Sequence, residues 1–382
     1  MSFPMKRVGL VLRAVPHYRL PFFTRLREDL ESRGIELRLI YGQVGKVRSS
    51  KKDTVDVPWG IRIQNRVLDL GPLELYWQPC LRLVRDADLI IVTQEAKLLV
   101  NYLLHLKREL GWIRMAYWGH GAGFRRNRLS WMTEWSKRLL ARRVDWWFAY
   151  TEKSARVLAA AGVSRSRITV VNNAIDTRSL VAARRALSQE DLDSWRARLG
   201  IRSKNVGVFV GGMYKEKRLD FLLEACRRIR GIVEDFEVVF VGDGPEADRV
   251  RREAELQPWV HYLGPRFGQE KVAPLALGKV LLMPGLVGLA VLDSFAMETP
   301  LVTTSVPYHS PEIEYLKEGV NGVVVPTAEG MDGYVEAVTS LISEPRVLRR
   351  LQEGCRASAM EYSVESMAER FAGGIIAALG RR

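Results

Sequence analysis

Apolar residues in this chain gather in short runs, each followed by a turn rich in glycine or proline and then by an amphipathic stretch. Val8-Gly9-Leu10-Val11-Leu12 is the first such run, and Pro16 breaks it. A basic stretch with helical spacing follows over about 20–32, Gly34 closes it, and 36–41 reads as a second strand. The pattern continues with strands over 88–93, 114–118, 146–150 and 168–171. Helices are predicted over about 95–109, ended by Gly111, and 152–161, ended by Gly162. A second series begins at 206–210 and adds strands over 237–241, 260–263, 280–283, 301–304 and 322–325. Helices over about 218–230, 246–255 and 291–297 fall between them. The stretch 172–202 is polar with helical character and reads as a linker. Strand–helix alternation in both halves predicts two doubly wound α/β domains, 1–175 and 176–364, with a last helix over about 365–382 packing back on the first.

Charge separates the halves. Residues 1–175 hold 31 Lys/Arg against 15 Asp/Glu, whereas the remainder holds 27 against 29, so the first half carries the whole net charge of +14. Such a field draws polyanions: a phosphorylated acceptor, an anionic membrane surface or nucleic acid. Within it, Trp131, Trp135, Trp146 and Trp147 lie among Lys137, Arg138, Arg142 and Arg143, the composition of an interfacial anchor. No apolar run is long enough to cross a membrane, and Met1–Val8 lacks the apolar core of a signal peptide. Three scattered cysteines, Cys80, Cys226 and Cys355, argue for a reducing compartment and against a disulfide framework or a Cys-rich metal site. The expected location is cytoplasmic, peripheral at the inner face of the membrane.

In doubly wound domains, ligand chemistry belongs to the turns at the carboxyl ends of the strands. Five turns carry candidates. Gly285-Leu286-Val287-Gly288-Leu289-Ala290 leads from a strand into a helix whose first N–H groups suit a diphosphate, and Asp293 lies one turn further, where a carboxylate can accept from ribose hydroxyls. Gly211-Gly212 precedes Lys217, a point charge for a phosphate. Gly242-Asp243-Gly244-Pro245 is a tight turn before a helix and not a dinucleotide fingerprint. In the first half, His120 stands between Gly119 and Gly121 after a strand. His17, Tyr18 and Arg19 occupy the first strand-to-helix turn, with Phe22 and Phe23 expected in the core.

Taken together and in this order, these turns resemble glycosyltransferase family 4, the retaining transferases of GT-B fold. Val171-Asn172-Asn173-Ala174-Ile175-Asp176 is similar to that family's interdomain segment. Gly211-Gly212 with Glu216-Lys217 is similar to its E-K element, Gly242–Pro245 to its G-x-G-P turn, and Pro284–Pro300 to its paired-glutamate motif. Four departures stand out: Gly212 replaces the family's arginine, Gly285 its first glutamate, Asp293 its second, and Pro16-His17-Tyr18-Arg19 the Gly-Gly of its first turn.

The resemblance implies two Rossmann-like domains facing across a cleft. The second would hold a nucleotide-diphosphate sugar through Gly211, Gly212, Lys217, Gly242, Tyr262, Leu263, the 285–290 turn and Asp293, with the backbone near Tyr262 and Leu263 reading the base. It implies His120, Lys217 and Asp293 as catalytic residues. An acceptor, a glycan or lipid-linked one, would dock on the first domain at His17, Tyr18, Arg19, Arg125 and Arg126. The resemblance implies no metal and no cofactor. The expected activity is transfer of a sugar in cell-surface polysaccharide or lipopolysaccharide synthesis. The competing readings are a nucleotide-sugar epimerase of the same fold and a non-catalytic nucleic-acid-binding protein. The latter has no helix-turn-helix, zinc or RNA-binding motif to support it.

Overall fold

The computed structural model describes residues 5–43, 54–70, 73–121 and 140–381. The chain divides into two compact units, Met1–Ile175 with Val364–Arg382, and Asp176–Ser363.

The first unit is built on strands β1 (Lys6–Leu12), β2 (Ile35–Tyr41), β3 (Ile61–Arg62), the pair β4 (Arg66–Leu70) and β5 (Leu73–Trp77), then β6 (Leu89–Thr93), β7 (Met115–Gly119), β8 (Trp146–Ala149) and β9 (Ile168–Val170). Seven of them form one parallel sheet in the order β3-β2-β1-β6-β7-β8-β9; β4 and β5 form a separate antiparallel hairpin. Strands β7 and β8 are buried at every position, which is why they read as unbroken apolar runs. Helix α1 (Leu20–Glu31) buries Phe22, Phe23, Leu26 and Leu30, one stripe at helical spacing.

Three expectations change in this unit. Helix α2 (Leu99–Glu109) starts four residues later than the spacing suggests, because 95–98 is tied to β5: Tyr76 N–H donates to the Lys97 carbonyl at 2.9 Å. The β4–β5 hairpin was not foreseen at all. Trp146 and Trp147 are core residues of β8 at 6% and 0% exposure, their ring N–H groups donating to Thr169 Oγ1 and the Ala141 carbonyl. They cannot serve as interfacial anchors; Trp131, Trp135, Lys137 and Arg138 lie outside the described residues. Helix α3 (Glu152–Ala160) is capped by Thr151, whose side chain accepts from Ser154 N–H.

The second unit begins with α4 (Thr177–Ala186) and α5 (Gln189–Leu199), so the stretch expected as a linker is folded into this unit. Asp176 caps α4, and Ser188 with Asp191 forms a capping box on α5, which ends at the left-handed Gly200. Thr177 Oγ1 donates to the Ala359 carbonyl and fastens α4 to this unit's last helix. There follow β10 (Val206–Val210), α6 (Leu219–Ile232), β11 (Glu237–Val241), α7 (Ala247–Leu256), β12 (Val260–Tyr262), α8 (Val272–Ala276), β13 (Val280–Leu282), α9 (Ala290–Met297), β14 (Leu301–Thr304), β15 (Gly322–Val325), α10 (Gly330–Ser343) and α11 (Pro345–Glu361). All six strands are parallel, in the order β12-β11-β10-β13-β14-β15. The order reverses between β10 and β13, so the loops after these two strands flank the crevice where such sheets bind ligands.

The last helix, α12 (Val364–Gly380), belongs to the first unit. Phe371 stacks on Phe148 at 4.1 Å and meets Phe22 and Trp118 edge-on, all with negligible exposure. A Cβ on Gly374 would stand 2.7 Å from the Phe148 ring, so glycine lets the helix lie against β8.

Candidate functional site

The carboxyl edge of the second sheet is assembled from backbone. Gly242 N–H donates to the Gly264 carbonyl, Gly211 N–H to Val241, and Met213 N–H to Asp243, each at 2.8–2.9 Å, so the loops after β10, β11 and β12 form one stitched layer. Gly211 and Gly242 take φ of +131° and +148°, and a Cβ on Gly242 would collide with the Gly211 carbonyl. Tyr262 and Leu263 sit partly exposed at the rim of this layer, the Tyr262 hydroxyl 3.5 Å from Asp243 Oδ1.

Across the switch point, the 284–289 loop lies directly on the 214–218 turn. Leu286 N–H donates to the Glu216 carbonyl at 2.8 Å. A Cβ on Gly285 would stand 2.6 and 2.7 Å from the Lys217 carbonyl carbon and oxygen, and closer still to the Glu216 oxygen. Glycine at 285 is therefore a packing requirement of this loop. Lys217 is only 7% exposed; its Nζ donates to the Leu286 carbonyl at 2.5 Å and lies 3.3 Å from Met283 Sδ. Burial lowers its pKa to about 8, which leaves the amine mostly charged at neutral pH. The sequence suggests a lysine reaching outward to a phosphate; the amine instead sits beneath the loop, where its charge raises the potential along 286–290.

That loop runs into α9, whose N-terminus has no side-chain cap. Its entrance residues Gly288, Leu289 and Ala290 are partly exposed. Asp293, in the first turn of α9, is 7% exposed and paired with Lys271, Nζ to Oδ1 at 2.5 Å. His309 fixes the loop from the other side: Val287 N–H donates to its Nδ1 at 3.0 Å, while its Nε2 is 2.7 Å from the Thr304 carbonyl. That pairing makes the ring a neutral Nε2–H tautomer. Ser310 N–H donates to the Val287 carbonyl as well. Neither Lys271 nor His309 was foreseen, because each meets its partner, Asp293 and Val287 respectively, across 22 residues of chain and belongs to no local pattern.

In the first unit, His120 follows β7 directly and packs edge-on against Tyr150 at 4.3 Å. Burial first, then the charge of Arg19, lowers its pKa to about 4, so the ring is neutral at working pH. Arg19 is 5% exposed; its guanidinium donates to Asn173 Oδ1, contacts Met367 Sδ, and lies over the rings of Tyr18, Trp118 and Tyr150. It is a buried charge beside His120 and not a solvent-facing anchor. His17 is exposed and Tyr18 partly so; Arg125 and Arg126 lie outside the described residues. This sheet reverses order between β1 and β6, and there stands a cluster missed in the sequence: Arg13 pairs with Glu95 at 3.2 Å, Lys97 approaches Glu95 at 3.5 Å, and both cations face the Tyr76 ring. The position after β1 is the signal that marks Arg13.

Comparison with known proteins adds to this geometry. Residues 204–344 match the family described as Glycosyl transferases group 1, and residues 22–179 match Glycosyltransferase Family 4. The chain is 26% identical over 187 residues to alpha-D-kanosaminyltransferase of Streptomyces kanamyceticus, and the match spans 47% of each protein, about half the length of that relative. Among solved structures, HepE of Anabaena in complex with UDP superposes with a TM-score of 0.72 at 16% identity, over 97% of this chain and 100% of that one. The lipopolysaccharide outer core galactosyltransferase WaaB gives 0.67 at 14% identity, over 97% and 99%. A protein described as a putative UDP-N-acetylglucosamine 2-epimerase, from Listeria monocytogenes, gives 0.63 at 15%, over 97% and 95%. These structures share the two-sheet fold. With one family model on each half of the chain and that fold beneath both, the chain belongs to the family 4 glycosyltransferases of GT-B fold.

Proposed function

We propose that this protein transfers a sugar from a nucleotide-diphosphate donor to a glycan or lipid-linked acceptor of cell-surface polysaccharide or lipopolysaccharide synthesis, with retention of configuration and without a metal. The observation that carries the donor side is the uncapped N-terminus of α9 at the switch point, with the Lys217 amine buried under the loop that enters it. The positive end of a helix and a cation in a poorly solvated position both stabilise negative charge developing on a leaving diphosphate. HepE, the structural relative solved with UDP, supports a nucleoside diphosphate as the occupant. Asp293, oriented by its ion pair with Lys271, would accept from ribose hydroxyls.

The first unit would supply the acceptor side. His120 is a neutral ring at the end of β7, able to donate or accept one hydrogen bond to a sugar hydroxyl without adding charge. The Arg13, Glu95 and Lys97 cluster offers polar recognition of an acceptor. The surplus of basic residues in 1–175 favours an acceptor that carries phosphate, presented at an anionic membrane surface.

The test is incubation with UDP-, GDP- and ADP-sugars, following nucleoside diphosphate release and the fate of the sugar. Slow release with one donor supports the transferase reading. Interconversion of the sugar without release would replace it with an epimerase, and inertness toward all three would overturn it. With a donor in hand, Lys217→Ala and Asp293→Ala should each lower turnover or donor affinity; wild-type kinetics in both would remove them from the site.

A further inference from the structure

The chemistry above uses the carboxyl ends of the strands. At the opposite edge of the first sheet, the residues just ahead of three strands converge: Ile113 and Arg114 precede β7, Asp145 precedes β8, and Arg167 precedes β9. The end of α2 and the residue after α12 complete a cavity of about 610 Å³ to which four arginines contribute: Arg108, Arg114, Arg167 and Arg381. The acids lining it are Asp145 and Glu109.

These four cations are not equivalent. Arg108 is neutralised: it donates to Asp145 Oδ1 at 2.8 and 3.1 Å and to Glu109 at 3.0 Å. Asp145 is fully engaged, since its other oxygen accepts from Met115 N–H at 2.8 Å. The remaining three are held by groups without formal charge. Arg114 donates to the Ala378 and Leu379 carbonyls at the end of α12; Arg167 donates to the Val144 carbonyl at 3.1 Å; Arg381 donates to Ser166 Oγ at 2.8 Å and lies over the Trp146 ring. Each guanidinium has five N–H donors, so each retains donors beyond those used to fix it. The result is a concave surface with three oriented guanidinium groups that have no carboxylate partner among the described residues. Their helix-end and carbonyl partners restrain them before any ligand arrives, which lowers the ordering cost of binding.

We propose that this cavity is a second anion site, specific for a phosphate ester or diphosphate group and separate from the donor site. Guanidinium forks match phosphate oxygens two at a time, and the volume admits a diphosphate together with part of whatever carries it. Two sources share that chemistry: the headgroup of a phosphate-bearing lipid, which would seat this unit on a membrane surface, and a soluble phosphorylated molecule. The site does not depend on the donor reading, because it lies wholly in the first unit.

The experiment uses the full chain and the variant Arg167→Ala/Arg381→Ala, with Arg167→Lys/Arg381→Lys as a check that the charge is kept while the fork geometry is lost. Titration with inorganic pyrophosphate at low salt should show one more binding site in the wild type than in the alanine variant. The lysine variant should bind at that site at least tenfold more weakly than the wild type. The Lys217→Ala variant should keep this site, which separates it from the donor site. Sedimentation with phosphatidic acid vesicles against phosphatidylcholine vesicles then distinguishes the sources. Vesicle binding lost in the alanine variant identifies a lipid headgroup; pyrophosphate binding without vesicle binding identifies a soluble ligand. Equal pyrophosphate stoichiometry and affinity in the wild type and the alanine variant, with matching circular dichroism, would overturn the proposal.

Discussion

Replacing Gly285 by alanine adds one methyl group where the backbone of the 214–218 turn already stands. The new Cβ would lie 2.6 and 2.7 Å from the Lys217 carbonyl atoms, whereas ordinary contacts begin at 3.4 Å. The obstruction is main chain on both sides, so no rotamer change can relieve it, and the two loops must part. Parting them stretches the Leu286 N–H to Glu216 bond and the Lys217 Nζ to Leu286 bond. Overpacking of this kind costs about 2–3 kcal/mol. For a unit of this size that is a fall in melting temperature of roughly 5–10 °C. Gly285→Glu, which restores the residue common in the family, meets the same obstruction and should melt no higher than Gly285→Ala. Thermal scans by circular dichroism, paired with titration of the nucleoside diphosphate released from the active donor, separate stability from site geometry. Both variants should bind the diphosphate more weakly, because the entrance to α9 moves with the loop. A Gly285→Ala protein that melts within a degree of the wild type and binds as tightly would refute the reasoning, and a Gly285→Glu protein with raised activity would refute it more directly.

Other consequences follow from buried charges. Lys217 has a folded pKa of about 8 against an ordinary 10.5, so the unfolded chain holds more protons between those values and this residue's contribution to stability rises with pH across that window. A ligand that needs the ammonium behaves oppositely: donor affinity should drop about tenfold between pH 7 and pH 9, and the drop should vanish in Lys217→Ala. His105 and His120 both have pKa values lowered from 6.5 to about 4, chiefly by burial. Their stabilising contribution is complete above pH 6.5 and is lost as pH falls toward 4, about 2 kcal/mol each at pH 5; urea titrations at pH 7.5 and pH 5 should show a shallower pH slope in His105→Gln and His120→Gln. Lys271→Ala leaves Asp293 buried without its cation and should cost about 3 kcal/mol, with much of that recovered in Lys271→Ala/Asp293→Asn by the same measurement.

The alternation of apolar runs and glycine-stopped helices was enough to show two parallel α/β sheets, since strands such as β7 and β8 are buried on both faces and leave an unbroken apolar signature. The β4–β5 hairpin left no comparable signature: Leu68 is 54% exposed and Val67 37% exposed, so no buried face disciplines the pattern. Among site residues, those tied to turns were legible because glycine marks them. Gly242 and Gly211 sit where two loops touch, and Gly285 where a loop rests on a turn. What a turn does with its charged residue was not legible. Lys217 and Arg19 both read as outward cations, yet each is folded inward onto a carbonyl or an amide oxygen, because the partners, Leu286 and Asn173, lie 69 and 154 residues away. Lys271 and His309 escaped for the same reason: their roles exist only through long-range contacts.

The Gly285 position and the Lys217 amine are best understood as one adaptation. A glutamate at 285 would hold the loop away from the turn and put a carboxylate beside the lysine. With glycine there, the loop closes down, the amine is sealed beneath it, and burial pulls its pKa to about 8. The loop is then held by backbone and by His309 instead of by an acidic side chain. The diphosphate of the proposed donor would meet helix N–H groups and a cation in a poorly solvated position there, with Asp293 as the nearby carboxylate, itself offset by Lys271. If the proposed function holds, the side chains of the 284–289 loop, all of them apolar, offer the sugar no polar partner. Donor variants altered at the sugar should then respond to substitutions near His120 more than to any side chain of the 284–289 loop. A donor panel measured on His120→Ala and on Leu286→Ala decides the matter: equal changes in sugar preference from both would return the selectivity to the loop.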